Sequence, residues 1–419
     1  MVEDSGLVFT MEEPEEAMGA RKVRIKVVGV GGAGGNAVNR MIAAGLKDVE
    51  FIAVNTDYQD LEKSQAQTKI QIGQKLTRGL GTGGHPERGE QAAVEDMAVL
   101  AEHLQGADLV FIAAGMGGGT GTGAAPVVAR LACEANALMV AVVTRPFGME
   151  GRQRELNAKR GLDGLMEAAA TLIVIPNDNL LTRLPEDVTM EEAFQAADDV
   201  LRQGVQGITD LVTRPGLINL DFEDVRTVLS AGGRAVMGMG FGVGERRALD
   251  AAEKAANNPL LEDASIQGAK SILINFAGGK KMRLQEVKLA CDFVREKAHP
   301  EANVLWGTSL DDQLGDEVRI TVVAAAFETA EVKTLKRPAF GSLAQQQTQA
   351  VAAAGGAAIF SSVPGVDSPI IAPPAQPTGF IRGNIFANAT PNSPLPGAAT
   401  ERDFEVEQTP TFLRKERKN

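Results

Sequence analysis

A run of glycines and threonines, residues 115–123, is the segment of the sequence that most directly indicates chemistry. It follows an apolar stretch, residues 109–114, and precedes an alanine-rich stretch of helical character. Glycines let successive backbone N–H groups converge on an anion, and the N-terminus of a following helix adds a favourable dipole. The run contains no lysine, so it differs from the phosphate loop G-x-x-x-x-G-K-[ST]. The pattern predicts a phosphate site in which backbone amides, hydroxyl groups and a metal ion supply the positive charge.

A second glycine-rich loop, residues 29–36, carries the spacing G-x-G-x-x-G through Gly29, Gly31 and Gly34. By itself this spacing is typical of a dinucleotide-binding loop, so an NAD-dependent oxidoreductase is one interpretation. Two phosphate loops suit a triphosphate that is held from both sides better than a pyrophosphate that is held by one loop. A third glycine-rich loop, residues 79–86, could close over the terminal phosphate or form a surface turn.

Several charged side chains could complete such a site. Glu150 and Arg154 are four residues apart at a predicted helix start, where they could bind ribose and phosphate oxygens or form an exposed ion pair. Asp199, inside a long predicted helix, could accept two hydrogen bonds from guanine or could simply be solvated. Asp221 and Asp224 could orient a water molecule, or Asp221 could be an N-cap with Asp224 in the first helical turn.

The hydrophobic pattern predicts the elements that position these residues. Alternating strands and helices over residues 22–175 indicate a doubly wound parallel sheet, with ligands at the carboxyl ends of the strands. A helix of about 24 residues follows Thr189, which forms a capping box with Glu192, and it would be about 36 Å long. Pro215 ends it, and a second α/β unit extends to Phe327. The acidic pair therefore lies at the far end of the helix from the glycine loops. If the pair is catalytic rather than a helix cap, it would act on the nucleotide of another molecule.

Composition excludes several classes of protein. A formal net charge of −12 argues against non-specific nucleic-acid binding. The two cysteines and three histidines do not form the pattern of a disulfide framework or a zinc site. The sequence shows neither a signal peptide pattern nor an apolar stretch long enough for a membrane span. We therefore expect a cytoplasmic protein that does not itself insert into a membrane.

The composition changes after Phe327 to Ala, Gly, Gln, Ser and Pro, which predicts a disordered linker. At the end of the chain Pro410, Phe412, Leu413 and Arg414 stand beside a basic cluster. Such a segment could be a partner-docking peptide or a solubilising basic terminus.

Together these motifs resemble the tubulin/FtsZ family. The GGGTGTG core of residues 115–123, the Asn-Thr-Asp of residues 55–57, the Ile-Pro-Asn-Asp of residues 175–178 and the loop 219–224 carry the resemblance. It implies an α/β fold with a Rossmann-like, doubly wound GTPase domain, a long central helix, a second α/β domain, a disordered C-terminal linker and a tail peptide. The implied boundaries are a disordered N-terminal tail (1–21), a GTP-binding domain (22–188), a central connecting helix (189–214), a C-terminal α/β domain with the catalytic loop (215–329), a disordered linker (330–405) and a partner-docking peptide (406–419).

At matched positions the resemblance also implies the residues that contact GTP or GDP. They are Gly32, Ala33, Gly34, Gly35, Asn36, Gly119, Thr120, Gly121, Glu150, Arg154, Asn177, Phe194 and Asp199. Glu150 and Arg154 would bind the ribose–phosphate region, and Asn177 and Asp199 the guanine, with Phe194 near the base. Mg²⁺ would be held through the GTP phosphates, with no direct protein ligand assigned. Asp221 and Asp224 would reach the GTP of the adjoining subunit.

The family implies a GTPase activated by self-assembly into head-to-tail protofilaments, which form the cytokinetic ring at the bacterial division site. The terminal peptide is similar to the family's docking motif through Pro410, Phe412, Leu413 and Arg414, and departs from it upstream, at residues 408–409. It implies a membrane-tethering adaptor such as FtsA, which would recruit a cytoplasmic protein to the inner face of the membrane at midcell. An oxidoreductase would explain only the first loop, and a non-catalytic filament protein would leave the acidic pair without a role.

Overall fold

The structure, a computed structural model, describes residues 22–182, 184–214, 216–230, 232–258 and 266–327. The predicted N-terminal tail, the linker and the terminal peptide with Pro410, Phe412, Leu413 and Arg414 lie outside these residues, as does Pro215.

The described residues form a single ten-stranded sheet with helices on both faces. The strands are β1 (Ile25–Val30), β2 (Val49–Asn55), β3 (Thr68–Gln71), β4 (Leu109–Gly115), β5 (Leu138–Arg145), β6 (Thr171–Pro176), β7 (Arg234–Gly242), β8 (Ala269–Gly278), β9 (Asn303–Leu310) and β10 (Val318–Phe327). The helices are α1 (Gly31–Ala43), α2 (Tyr58–Glu62), α3 (Gln74–Thr77), α4 (Pro86–Glu95), α5 (Met97–Leu104), α6 (Thr120–Glu134), α7 (Arg152–Ala168), α8 (Asn177–Leu181), α9 (Met190–Thr213), α10 (Phe222–Leu229), α11 (Arg247–Ala256) and α12 (Leu284–Lys297). The strand order is β3-β2-β1-β4-β5-β6-β7-β10-β8-β9.

The first six strands are parallel, and all of them except the edge strand β3 are largely buried on both faces, which explains their nearly continuous apolar sequences. Successive side chains of a strand enter opposite cores. Val27 of β1 packs in the same core as Val38 of α1, whereas Val28 packs in the core that contains Val128 of α6. The predicted doubly wound α/β architecture is confirmed.

The two halves of the sheet meet at a short seam between β6 and β7. Only two residue pairs, Leu172 with Arg234 and Ile173 with Ala235, join these parallel strands. Beyond the seam the sheet is mixed, because β10 is antiparallel to both β7 and β8, while β9 is parallel to β8. The sequence indicated a second α/β unit but gave no sign that its sheet continues the first.

Helix α9, with 24 residues, is the long central helix predicted from the sequence. Its capping box is present: the Thr189 hydroxyl accepts the Glu192 N–H at 3.2 Å, and the Glu192 carboxylate accepts the Thr189 N–H at 2.9 Å. Leu201 and Val205 in the middle of the apolar stripe are fully buried, whereas Phe194 at its start is 38% exposed. Among the described residues, no helix is both long and apolar enough to cross a membrane.

Candidate nucleotide-binding site

The predicted glycine loops meet around one cavity of about 480 Å³. Strands β1 and β4 are neighbours and parallel, so the loops at their carboxyl ends lie side by side. The cavity is lined by residues of both loops, of the third glycine loop, of the segment from the end of β2 into α2, and of the segment from the end of β5 into α7. These residues are Val30, Gly31, Gly32, Ala33, Asn55, Asp57, Asp60, Gly81, Thr82, Gly84, Gly115, Met116, Gly118, Gly119, Thr120, Gly121, Thr144, Glu150 and Arg154. The third loop therefore takes part in the cavity rather than forming a separate surface turn.

The glycines at this edge allow a close approach of backbones that side chains would prevent. Gly31 has a φ of +72°, and a Cβ there would lie 2.8 Å from the backbone nitrogen of Gly121. A Cβ on Gly34 would lie 2.3 Å from the carbonyl oxygen of Ala113. Gly34 does not line the cavity; it allows the first loop to pack closely against β4. Gly35 and Asn36 line a small adjoining cavity of about 30 Å³.

Helices α1 and α6 both begin at the cavity, with their first N–H groups directed toward it. No side chain of the described residues caps either N-terminus. Uncapped N–H groups at a helix N-terminus are an anion site. The Thr120 hydroxyl lies 2.6 Å from that of Thr56, and the Thr122 hydroxyl accepts the Gly117 N–H at 2.9 Å. The second contact engages the Gly117 N–H within the loop, so the N–H groups open to a phosphate are those of the two helix N-termini.

The turn after β5 forms one wall of the cavity and is fixed by two carboxylates. Glu150, which lines the cavity, accepts the Phe147 N–H at 2.9 Å and forms an ion pair with Arg154. Asp178 at the start of α8 accepts the Gly148 N–H at 2.9 Å. The predicted pairing of Glu150 with Arg154 therefore exists, and it stands at the cavity wall with Glu150 mostly buried and Arg154 exposed.

An aromatic pair and a buried amide lie beside this turn. The rings of Phe147 and Phe194 are in edge contact, with their centroids 5.3 Å apart. Asn177 is buried, and its side-chain oxygen accepts no hydrogen bond within the described residues. A buried acceptor without a donor is costly, so this oxygen is suited to a donor on a ligand.

Asp199 is not brought to the glycine cavity. It lines a different cavity with Leu180, Leu184, Ala196, Val200, Gln203, Met239 and Phe241, and it accepts a hydrogen bond of 2.6 Å from Arg202. Burial raises the pKa of Asp199, but the hydrogen bond and charge of Arg202 outweigh it, so the pKa is lowered. This carboxylate faces away because the side-chain directions of successive helical residues differ by about 100°.

The preceding residue, Asp198, lies on a different face of α9 from Asp199. It lies four residues after Phe194, and therefore on the same face of α9, and its carboxylate is 3.5 Å from Arg40 of α1. Burial raises the pKa of Asp198 to about 6, against the opposing effect of Arg40. The i,i+4 spacing from Phe194 was the signal in the sequence that distinguishes the two carboxylates.

Asp221 and Asp224 lie far from the glycine cavity of the same chain. Asp221 is the N-cap of α10, and its carboxylate accepts the Asp224 N–H at 2.8 Å. The loop before it is held on β9, where Ile218 donates to the Thr308 hydroxyl at 3.0 Å. This loop follows the C-terminal end of α9, which lies about 29 Å along the helix from Phe194.

Family models match most of the described chain. Residues 24–184 match the GTPase domain of the tubulin/FtsZ family, and residues 233–328 match the C-terminal domain of the FtsZ family. The chain is 44% identical to an empty FtsZ dimer structure from M. jannaschii, with a TM-score of 0.71, over 73% of this chain and 89% of that one.

The chain belongs to the tubulin/FtsZ family. A point mutant of the M. jannaschii FtsZ is 42% identical, with a TM-score of 0.70, over 73% of this chain and 92% of that one. CetZ2 from Haloferax volcanii, a protofilament bound to GTPγS, is 22% identical, with a TM-score of 0.64, over 79% and 99% of the two chains, and shows the shared fold. Membership in this family makes the chain a GTPase that binds guanine nucleotide and confirms the predicted fold class. Self-polymerisation is a property of FtsZ-like proteins.

The family's ligand fits the cavity found here. Two uncapped helix N-termini and the glycine loops offer N–H groups to phosphates. The buried Asn177 oxygen lacks a donor within the described residues, and a guanine ring carries such donors.

Proposed function

We propose that this chain hydrolyses GTP at a site completed between adjacent subunits of a head-to-tail filament. The observation that supports this proposal is the position of the acidic pair. Asp221 and Asp224 lie at the end of α9 that is remote from the glycine cavity. A contact between two different surfaces of one chain is heterologous and need not close, so it produces filaments.

In this proposal the glycine loops bind the phosphates on one surface of the subunit. The predicted contacts Gly32, Ala33, Gly34, Gly35, Asn36, Gly119, Thr120 and Gly121 belong to these two loops. Backbone N–H groups of α1 and α6 would hold the phosphate oxygens, and the hydroxyl of Thr120 would donate to them. Mg²⁺, bound through the phosphates, would neutralise charge that develops on the leaving diphosphate.

The nucleoside would extend along the wall formed by the turn after β5. Glu150 and Arg154 would contact the ribose–phosphate region, and the base would lie against Phe194 with Asn177 accepting from it. We assign the carboxylate that recognises guanine to Asp198 rather than Asp199, since only Asp198 shares the helix face of Phe194.

The acidic pair would act when the next subunit docks. Asp221 and Asp224 would then orient and polarise the water molecule that attacks the terminal phosphate. Positioning and charge stabilisation account for most of the catalysis in phosphoryl transfer, so delivery of two carboxylates can raise the rate steeply. Hydrolysis would be slow in an isolated subunit because its own acids cannot reach its own cavity.

We further propose a role in cell division. The filaments would form a cytokinetic ring at the bacterial division site, on the cytoplasmic face of the membrane at midcell. An adaptor such as FtsA would bind the terminal peptide through Pro410, Phe412, Leu413 and Arg414, and the linker would act as its tether. Deletion of residues 406–419 should leave GTP hydrolysis intact and abolish binding to membranes that carry the adaptor.

The decisive test of the shared site is complementation between two inactive chains. One chain carries Asp221→Asn, which keeps the cavity, and the other carries Gly34→Ala, which keeps the acidic loop. Neither should release phosphate from GTP alone, whereas an equal mixture should recover up to about a quarter of the wild-type rate, the share of complete junctions in random order.

The concentration dependence of the wild-type protein provides the control. Phosphate release per subunit should be near zero in dilute samples with Mg²⁺ and rise above a threshold concentration. A constant rate per subunit at every dilution, together with an inactive mixture, would show that each chain holds a complete site. Retention on immobilised NAD rather than GTP would favour an oxidoreductase.

A further inference from the structure

A groove of about 430 Å³ runs along α7 beside strands β6 and β7, on a surface that the nucleotide site does not use. Its apolar lining consists of Leu156, Leu162, Met166, Leu172 and Val174. Leu156 is 52% exposed and lies beside the other apolar residues of this lining, so it belongs to an apolar patch rather than standing alone on the surface.

The rim of this groove is predominantly basic. Arg145, Arg152, Lys159 and Arg234 line it, against two carboxylates, Glu155 and Asp163. One of these carboxylates is engaged, since Glu155 lies 3.8 Å from Arg145. Apolar side chains between cations match a segment that alternates apolar and acidic residues.

The groove also crosses the weakest junction of the sheet. Leu172 and Arg234, which line it, form one of the two residue pairs that join β6 to β7. A segment bound there would contact α7 on one side of the seam and β7 on the other. It would therefore link the two halves of the sheet as well as cover apolar surface.

We propose that the N-terminal segment of this same chain, residues 2–18, docks into the groove. Its acidic residues are Glu3, Asp4, Glu12, Glu13, Glu15 and Glu16, and its larger apolar residues are Val2, Leu7, Val8, Phe9, Met11 and Met18. No lysine or arginine occurs before Arg21. The terminal peptide is the less suitable occupant, because its cluster of cations from Arg414 to Lys418 would be repelled by the basic rim.

The length of the segment is sufficient to reach the groove. The described chain begins at Lys22, just before β1, and β1 is separated from β6 by β4 and β5. Three strand spacings amount to about 14 Å, the helix layer adds about 10 Å, and the rise along six-residue strands to the start of α7 adds about 20 Å, which combine to about 26 Å in a straight line. Ten residues span about 17 Å as a flexible coil and about 33 Å when extended. Residues near Met11 can therefore lie against Leu156 and Leu162.

Photo-crosslinking in the full-length chain tests this proposal. The variant Leu156→p-benzoylphenylalanine places the probe on the groove, and Leu289→p-benzoylphenylalanine, at a leucine that is also 52% exposed, is the matched control on α12. Irradiation of the dilute, unassembled protein should link residue 156 to a peptide within residues 2–18 in a product of monomer mass. The control position should give no such link. Unchanged GTP hydrolysis of both variants before irradiation confirms that they are folded.

The charges of the groove give a second measurement. Combining Arg152→Glu with Lys159→Glu should lower the yield of the crosslink by about threefold or more, because exposed ion pairs are individually weak but act together here. Adding Glu12→Lys and Glu13→Lys should restore it. A link to residues 328–419, a product of dimer mass, equal yields at residues 156 and 289, or no link at all would each overturn the proposal.

Discussion

Replacing Asp221 by Asn separates the two roles that the structure allows for this side chain. As an N-cap, Asp221 accepts the Asp224 N–H at 2.8 Å, and an Asn oxygen can accept the same hydrogen bond. As a group that polarises water, Asp221 needs its negative charge, which Asn lacks. Ala removes both functions. Glu223→Gln is the matched control, since it removes an exposed charge from the same helical turn and has no proposed role.

The magnitudes follow from these contacts. Loss of the cap in Asp221→Ala should lower the free energy of unfolding by about 1 kcal/mol, whereas Asp221→Asn should change it by only a few tenths (~0.3 kcal/mol). In a protein of this size, 1 kcal/mol corresponds to about 2 °C in Tm. Both variants should lose about 10²- to 10⁴-fold in GTP turnover, the range typical of a group that acts on the nucleophile.

Thermal unfolding, GTP affinity and phosphate release above the assembly threshold measure these effects separately. Both Asp221 variants should retain the affinity for GTP, because the residue lies remote from the cavity of its own chain. If Asp221→Asn keeps a turnover near that of Glu223→Gln, the carboxylate serves only as a helix cap. A large loss of GTP affinity would place Asp221 in the binding site of its own chain and refute the shared site.

Three further predictions concern the cavity. Gly34→Ala should lower both Tm and GTP affinity, because its Cβ would meet a carbonyl of β4, whereas Gly35→Ala, with open space at its Cβ, should keep the Tm of the wild type. The pKa of Asp198 in the native state is raised to about 6, above the value of 3.8 in the unfolded chain. Between about pH 4 and 6 the native state therefore binds more protons than the unfolded state, and the free energy of unfolding falls as the pH rises. The N–H groups of guanine would donate to the ionised carboxylate of Asp198, so GTP affinity should rise between about pH 5 and 7 in binding titrations. Asp198→Asn should lack both the pH dependence of stability and the pH dependence of GTP affinity. Asp178→Ala should weaken GTP binding by about tenfold, since it removes the acceptor of the Gly148 N–H that holds the turn, and an unchanged Kd would exclude this positioning role.

The long helix and the positions of the parallel strands could be predicted because they depend on local patterns. Thr189 and Glu192 form their capping box between residues three apart, and the stripe through Leu201 and Val205 follows the helical period. Strand β1 could be recognised because burial on both faces requires an apolar run. The join between β6 and β7 was not predictable, since pairing of distant strands leaves no periodic signal in either one.

The candidate site likewise combines features that local sequence patterns predict with features that depend on contacts between distant segments. The sequence by itself determined the phosphate loops, because their function resides in backbone N–H groups that glycine-rich segments present locally. Only the tertiary structure decided that Asp198 pairs with Arg40 of α1 while Asp199 lines a separate cavity with Met239 and Phe241, because these neighbours come from distant segments. It also decided that Asp221 caps a helix remote from the cavity, and that cations from α7, β5 and β7 surround one groove. Such placements depend on contacts between distant segments, which residue types and spacing do not encode.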